Sequence, residues 1–168
     1  MAFWNRPDSE STPEVSEQLL ALVRSQLPDA DPASIRIVTA ISGLLACVAF
    51  SDRQLHDAER AHLREVLGRV HGMSTEGAGA ICNLIEQHVT ALTVINPHAY
   101  TRSLRELTDR EMRLEVLDIL VDTGAADGEL SFTETQMLRR LTSALGLDQQ
   151  DYNIAQERHR DRLSSNKR

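Results

Sequence analysis

Asp127-Gly128-Glu129-Leu130-Ser131-Phe132-Thr133-Glu134 reads as a turn running into a helix start, and a degenerate copy of it stands earlier in the chain as Asp52-Arg53-Gln54-Leu55-His56-Asp57-Ala58-Glu59. Asp, Leu and Glu keep one constant offset between the copies. The flanks keep it too: Ile41, Leu44, Leu45 and Val48 fall on Val116, Ile119, Leu120 and Thr123, and Leu63 falls on Leu138. In each copy an apolar helix leads into the loop and an amphipathic one leads out. The pattern predicts a single all-α domain of about seven or eight helices, built as two related halves with pseudo-two-fold duplication.

Composition agrees with that fold class. The chain has 168 residues, 41% of them apolar, 26% charged and only 4% aromatic. A core of Leu, Ile, Val and Ala favours helix-on-helix packing over a β-sandwich, where aromatic and β-branched residues concentrate. A net charge of −7 speaks against a nucleic-acid module that binds through broad phosphate contact. The local exception is the basic run Arg158, Arg160, Arg162, Lys167 and Arg168, read as a solvated helix end that complements the helix dipole. Cys47 and Cys82 sit in apolar stretches with no CxxC spacing, as buried thiols in a reducing compartment do. Met1–Glu10 contains no apolar stretch suited to a signal peptide. The apolar run Ile41–Phe50 is too short to span a bilayer. The expectation is a cytoplasmic protein with no direct membrane insertion. Oligomeric state is not legible.

Along the chain, residues 1–13 read as a flexible lead-in carrying the aromatic pair Phe3 and Trp4. Residues 14–157 form the helical domain and 158–168 a basic tail. An amphipathic helix is expected over Pro13–Leu27. Asp31 and Pro32 then open a helix that is apolar on most sides, hence central, to about Ser51. Helices follow over Asp57–Val70, from Ser74 to about Ile95, and over Pro97–Leu107. Thr108-Asp109-Arg110-Glu111 is expected as a capping box for the second central helix. Ser131 to Glu134 is expected to open a helix ending at Gly146, and Asp148 the last helix.

The loops offer two chemical readings. In one they are turn and cap alone: Gly128 permits the turn, Leu130 packs inward, and Glu134 reaches back to Ser131. In the other, packing of the two halves converges Asp52, Glu59, Asp127, Glu129 and Glu134 as hard oxygen ligands for Ca, Mg or Mn. Clustered carboxylates repel one another and need a neutralising cation, for which Arg53 is a candidate. His56 could add a ligand or a pH-sensitive charge, but the reading favoured is a solvated loop histidine. An EF-hand is excluded, because Thr123 and Ala125, and Val48 and Phe50 in the first copy, stand where its first acidic ligands belong. No HExxH, phosphate-loop, dinucleotide or serine-hydrolase motif occurs. A metal-dependent enzyme using the same carboxylates is the alternative from another class, and a structural module binding neither metal nor small molecule is a third.

The apolar helix, Ala126-Asp127-Gly128-Glu129-Leu130-Ser131 with Glu134, and the degenerate repeat at Asp52 and Glu59 together resemble the tellurite-resistance TerB family, whose domain also occurs beside J-domains in a co-chaperone. The resemblance runs from about Ile35 to Ala155. It implies a compact helical, non-enzymatic domain with an acidic surface suspected of binding divalent cations, acting as an intracellular stress-response module with a protein partner. Asp127, Gly128, Glu129 and Glu134 match the family motif. In the first loop Arg53 replaces the preferred glycine and Gln54 stands opposite Glu129, so that loop is one carboxylate poorer.

Overall fold

The computed structural model describes residues 11–52, 54–88 and 97–166, with side chains from 16 to 162 within those ranges. Eight helices and no strand occur among the described residues: α1 (Ser11–Gln26), α2 (Pro32–Ala49), α3 (Asp57–Gly68), α4 (Thr75–Gln87), α5 (His98–Leu107), α6 (Arg110–Gly124), α7 (Phe132–Ala144) and α8 (Gln149–Asn166). Residues 1–10, with Phe3 and Trp4, lie outside the described residues, as do Arg53 and residues 89–96; α1 begins at Ser11, so residues 11–13 of the expected lead-in are helical.

The central position of α2 follows from its sequence. Asp31 accepts hydrogen bonds from Ala33 and Ser34 N–H, and Pro32 occupies the first turn. Nearly every later side chain is apolar or small, and α2 packs against α1, α3, α4, α5, α6 and α7. Its polar members do not break the packing, because the hydroxyls of Thr39 and Ser42 donate to the carbonyls of Ile35 and Val38 one turn back. By length and hydropathy this 18-residue helix could cross a membrane, but two thirds of it (67%) is buried inside the structure, as in a core helix. Leu44, Leu45, Leu117 and Leu120 are fully enclosed, and Cys47 and Cys82 are buried thiols.

Two helix boundaries differ from the sequence expectation. The second central helix is capped by Asp109, whose Oδ1 accepts Met112 N–H at 2.9 Å. Thr108 is not the cap. It is the last residue of the preceding turn, and its hydroxyl is already given to Leu104 C=O at 2.5 Å. Helix α4 ends at Gln87, and the rest of the helix expected to Ile95 falls on undescribed residues.

The basic run is docked along its first part. Arg158 and Arg162 pair with Asp118 and Asp122 of α6 at 2.9 and 2.5 Å, and His159 Nδ1 lies 2.6 Å from Asp122 Oδ1. These residues face α6 because α8 buries Tyr152 and Ala155 against the core, which fixes the helix face one and two turns on. Asp122→Asn is therefore expected to speed amide exchange in residues 156–162. Because the ion pairs are partly solvated, global stability should change by only about 1 kcal/mol or less. Unchanged exchange there would show that the α8 end is held by something else.

Candidate functional site at the paired loops

The two loops meet because the helices that lead into them end together. A Cβ placed on Gly124, the last residue of α6, would lie 3.2 Å from Val48 Cγ1 near the end of α2 and 2.9 Å from Leu130 Cδ2. Only glycine allows that approach, and Leu130 closes over it. Gly128 makes the second turn with φ of +126°, a backbone region costly for residues with a Cβ. Its N–H bonds Ala125 C=O at 3.0 Å. In the first loop the turn is made by a side chain: Asp52 Oδ1 accepts Gln54 N–H at 2.9 Å.

Glu59 and Glu134 take equivalent places in the first turns of α3 and α7. Glu59 Oε2 accepts His56 N–H at 2.9 Å, and Glu134 Oε2 accepts Ser131 N–H at 2.6 Å while Ser131 Oγ accepts Glu134 N–H at 3.1 Å. Both glutamates are buried, at 0% and 2% exposure, which is unusual for carboxylates. Glu134 spends its charge on a backbone N–H at a helix N-terminus, where the dipole favours it. Glu59 is less well served: its Oε1 has no hydrogen-bond partner. Burial pushes its carboxyl up to about 7; the His56 N–H bond opposes this, and the neighbouring charges of Glu134 and Asp52 push it further.

Between the loops stands His56. Its Nε2 lies 3.4 Å from Asp52 Oδ2 and 3.9 Å from Asp127 Oδ2, one carboxylate from each loop. The hydrogen bond with Asp52 raises its pKa above the ordinary histidine value, desolvation acts against this, and the charges of Glu59, Asp52 and Asp127 add to the rise. The same carboxylates thus favour the protonated ring, the form that carries the positive charge a carboxylate cluster requires. This differs from the solvated loop histidine that sequence alone favours. Periodicity could not have found it, because the Asp127 contact crosses between loops.

Of the five proposed ligands, Asp52 and Asp127 are brought to one imidazole and Glu59 and Glu134 sit in the adjoining helix starts. Glu129 is exposed and has no hydrogen bond or ion pair among the described residues. Among the described residues no group of three or more His, Cys, Asp and Glu side chains is placed to hold a metal ion. Arg53, the other expected neutralising charge, lies outside the described residues.

A second cluster beside the loops had no sequence signal at all. His62 of α3 and His159 of α8 line a shallow cleft of about 380 Å³ with Asp122 and Glu65. The Nε2 atoms of both rings are buried without partners. Burial lowers the pKa of His62, against the charges of Asp122 and Glu65, so this histidine is disposed to stay neutral while His56 is disposed to charge. Chain separation hides the pairing, since α3 and α8 approach only across the end of α6.

Neither the curated proteins nor the solved structures compared with the chain match it. The family model described as tellurite resistance protein TerB matches residues 38–157. That stretch runs from the central helix through both loops into α8, most of the chain, and the all-helical architecture agrees with the resemblance drawn from the loops. The chain belongs to the TerB family.

Proposed function

We propose that this chain is a non-enzymatic, cytoplasmic interaction module of a tellurite-resistance-like stress response. Its paired loops take a hard divalent cation, Ca, Mg or Mn, in exchange for the His56 contact, and present the resulting surface to a protein partner. The reading treats the two helix-loop-helix units as copies of one unit, on the strength of their matched positions and reach-back glutamates. The observation that carries it is the imidazole within reach of Asp52 and Asp127: a side chain whose protonated form is favoured stands between two carboxylates from separate loops. Rotation of His56 outward would free both aspartates, with Glu129 at the rim and the unpaired Glu59 Oε1 behind them. Oxygen ligands of this kind suit hard cations. The paired capping bonds of Glu134 with Ser131 support a binding role over catalysis, because a carboxylate held by a backbone N–H at a helix start is poorly disposed to move protons.

Thermal melts of the chelated protein against each cation test this. A ligand that binds only the folded state stabilises it by about 2.7 kcal/mol at a hundredfold excess over Kd. Calcium, magnesium or manganese is expected to raise Tm in the native chain, and Asp52→Asn with Asp127→Asn to remove the effect while leaving both capping glutamates in place. No rise in the millimolar range, or an equal rise in the double variant, would sink the cation site.

A further inference from the structure

We propose that the groove between α5 and α7, on a different part of the molecule from the acidic loops, binds the phosphate groups of a small, highly charged phosphate compound through Arg102 and Arg105 of its lining, with Arg113 of α6 brought beside Arg105 at Gly146. The groove has a volume of about 830 Å³ and is lined by His98, Thr101, Arg102, Arg105 and Glu106 of α5 and Ala144 of α7. At its edge the guanidinium groups of two helices converge on one glycine. The Cβ position of Gly146 lies 3.4 Å from Arg105 Nε and 3.6 Å from Arg113 Nη1. Gly146 also has φ of +74°, a backbone region that favours glycine, and both arginines lie within van der Waals contact of its Cβ position.

Like charges brought together in this way need an anion, and this chain has 25 acidic residues against 18 basic ones from which to supply it. At six other arginines it does so. Arg36, Arg60, Arg69, Arg110, Arg158 and Arg162 all have carboxylate partners. Arg102, Arg105 and Arg113 have no hydrogen bond or ion pair among the described residues, and Arg113 Nε is buried without a partner. Glu106, which lines the groove, pairs with Arg36 at 3.6 Å, and Asp109 caps α6; Glu111 and Glu115, beside Arg113 in sequence, form no ion pair with these arginines among the described residues. The anion these three arginines lack is therefore not provided by the described part of the fold.

The ligand class follows from the lining. Guanidinium forks match phosphate oxygens with paired hydrogen bonds, and several forks together favour an anion carrying more than one charge. The volume lies in the range of small-molecule sites. Apart from His98 no ring lines it, so there is no broad platform for stacking a nucleobase. A long nucleic acid would meet the net negative charge of the rest of the molecule. A diphosphate or a sugar phosphate fits these constraints.

Titration of the full chain with pyrophosphate at constant ionic strength, followed by calorimetry and by amide NMR shifts, provides the test. Saturable binding of one pyrophosphate per chain is expected, with the Gly146 amide among those shifted. Arg105→Gln plus Arg113→Gln should weaken it at least tenfold, with the ligand-free Tm unchanged or raised because a repulsion is removed. Should that variant fail to fold, Arg102→Gln in the native background is expected to weaken binding as well. A phosphoserine peptide serves as the other source of the same group, and it is expected to bind more weakly than pyrophosphate. Absence of saturable binding, shifts confined to other surfaces, affinity unchanged by the substitutions, or tighter binding of the peptide would each overturn the proposal. Failure here leaves the cation site at the loops untouched, because the two share no residue.

Discussion

Alanine at Gly43 is expected to lower stability by about 2–3 kcal/mol, a fall in Tm of roughly 4–12 °C for a chain of this size. Gly43 lies in the middle of α2, where the added methyl would otherwise stabilise the helix by about 0.5–1 kcal/mol. The opposite sign comes from Tyr100 of α5. A Cβ at Gly43 would stand 2.5 Å from the ring Cζ and 2.7 Å from Cδ2, with Cε2 closer still. The ring cannot swing aside easily: it is 6% exposed and its hydroxyl lies 3.2 Å from Ser16 Oγ on α1. Three helices thus meet over one missing methyl. Thermal denaturation of Gly43→Ala, Tyr100→Leu and the double variant measures the contact. Each single change should destabilise, by overpacking or by a cavity, and the double variant should lose less than their sum. A raised Tm in Gly43→Ala would mean that α2 and α5 are not this close.

Glu59→Gln is expected to stabilise the metal-free protein above pH 7 and to have little effect near pH 4. The folded-state carboxyl is pushed up to about 7 from an ordinary 4.5. The native state therefore holds its proton where the unfolded chain has released it. By linkage, the stabilising contribution is complete below the unfolded pKa and is lost as pH rises from about 4.5 through about 7. At one pKa unit per 1.36 kcal/mol the loss is of order 1–3 kcal/mol. Glutamine has no charge to lose, yet its carbonyl can still accept His56 N–H and its amide can donate towards Glu134. Chemical denaturation of both proteins across pH 4–9 with a chelator present should show curves that coincide in acid and separate above neutrality. His56 also favours its protonated form in the folded state, so the native chain keeps part of its decline with pH even in the variant; the difference between the curves reports Glu59. A variant less stable than the native chain at pH 8 would show that the carboxylate charge is needed in the fold.

Much of the fold was legible from residue pattern. Asp31-Pro32 opened α2, Ser131 with Glu134 opened α7, Gly128 made its turn, and the nearly uniform apolarity of Ile35 to Ala49 put α2 in the centre. These are local effects, in which a cap or a turn residue acts on backbone a few residues away. The Thr108 cap failed for a local reason as well: a threonine hydroxyl has two backbone groups in reach, and the finished turn of α5 claimed it before α6 began.

What sequence could not reach is contact across the chain. The matched residue pattern named the carboxylates of both loops, but it gave His56 no reason to face Asp127 rather than water, and it gave no sign that Arg105 and Arg113 converge over Gly146 or that His62 and His159 share a cleft. The sequence by itself determined helix starts, turns and the all-α class, because these depend on the dihedral preferences and hydrogen-bonding reach of neighbouring residues. The tertiary structure alone decided which charges meet, because Coulomb interactions and desolvation depend on distance and burial between residues that the chain order keeps apart.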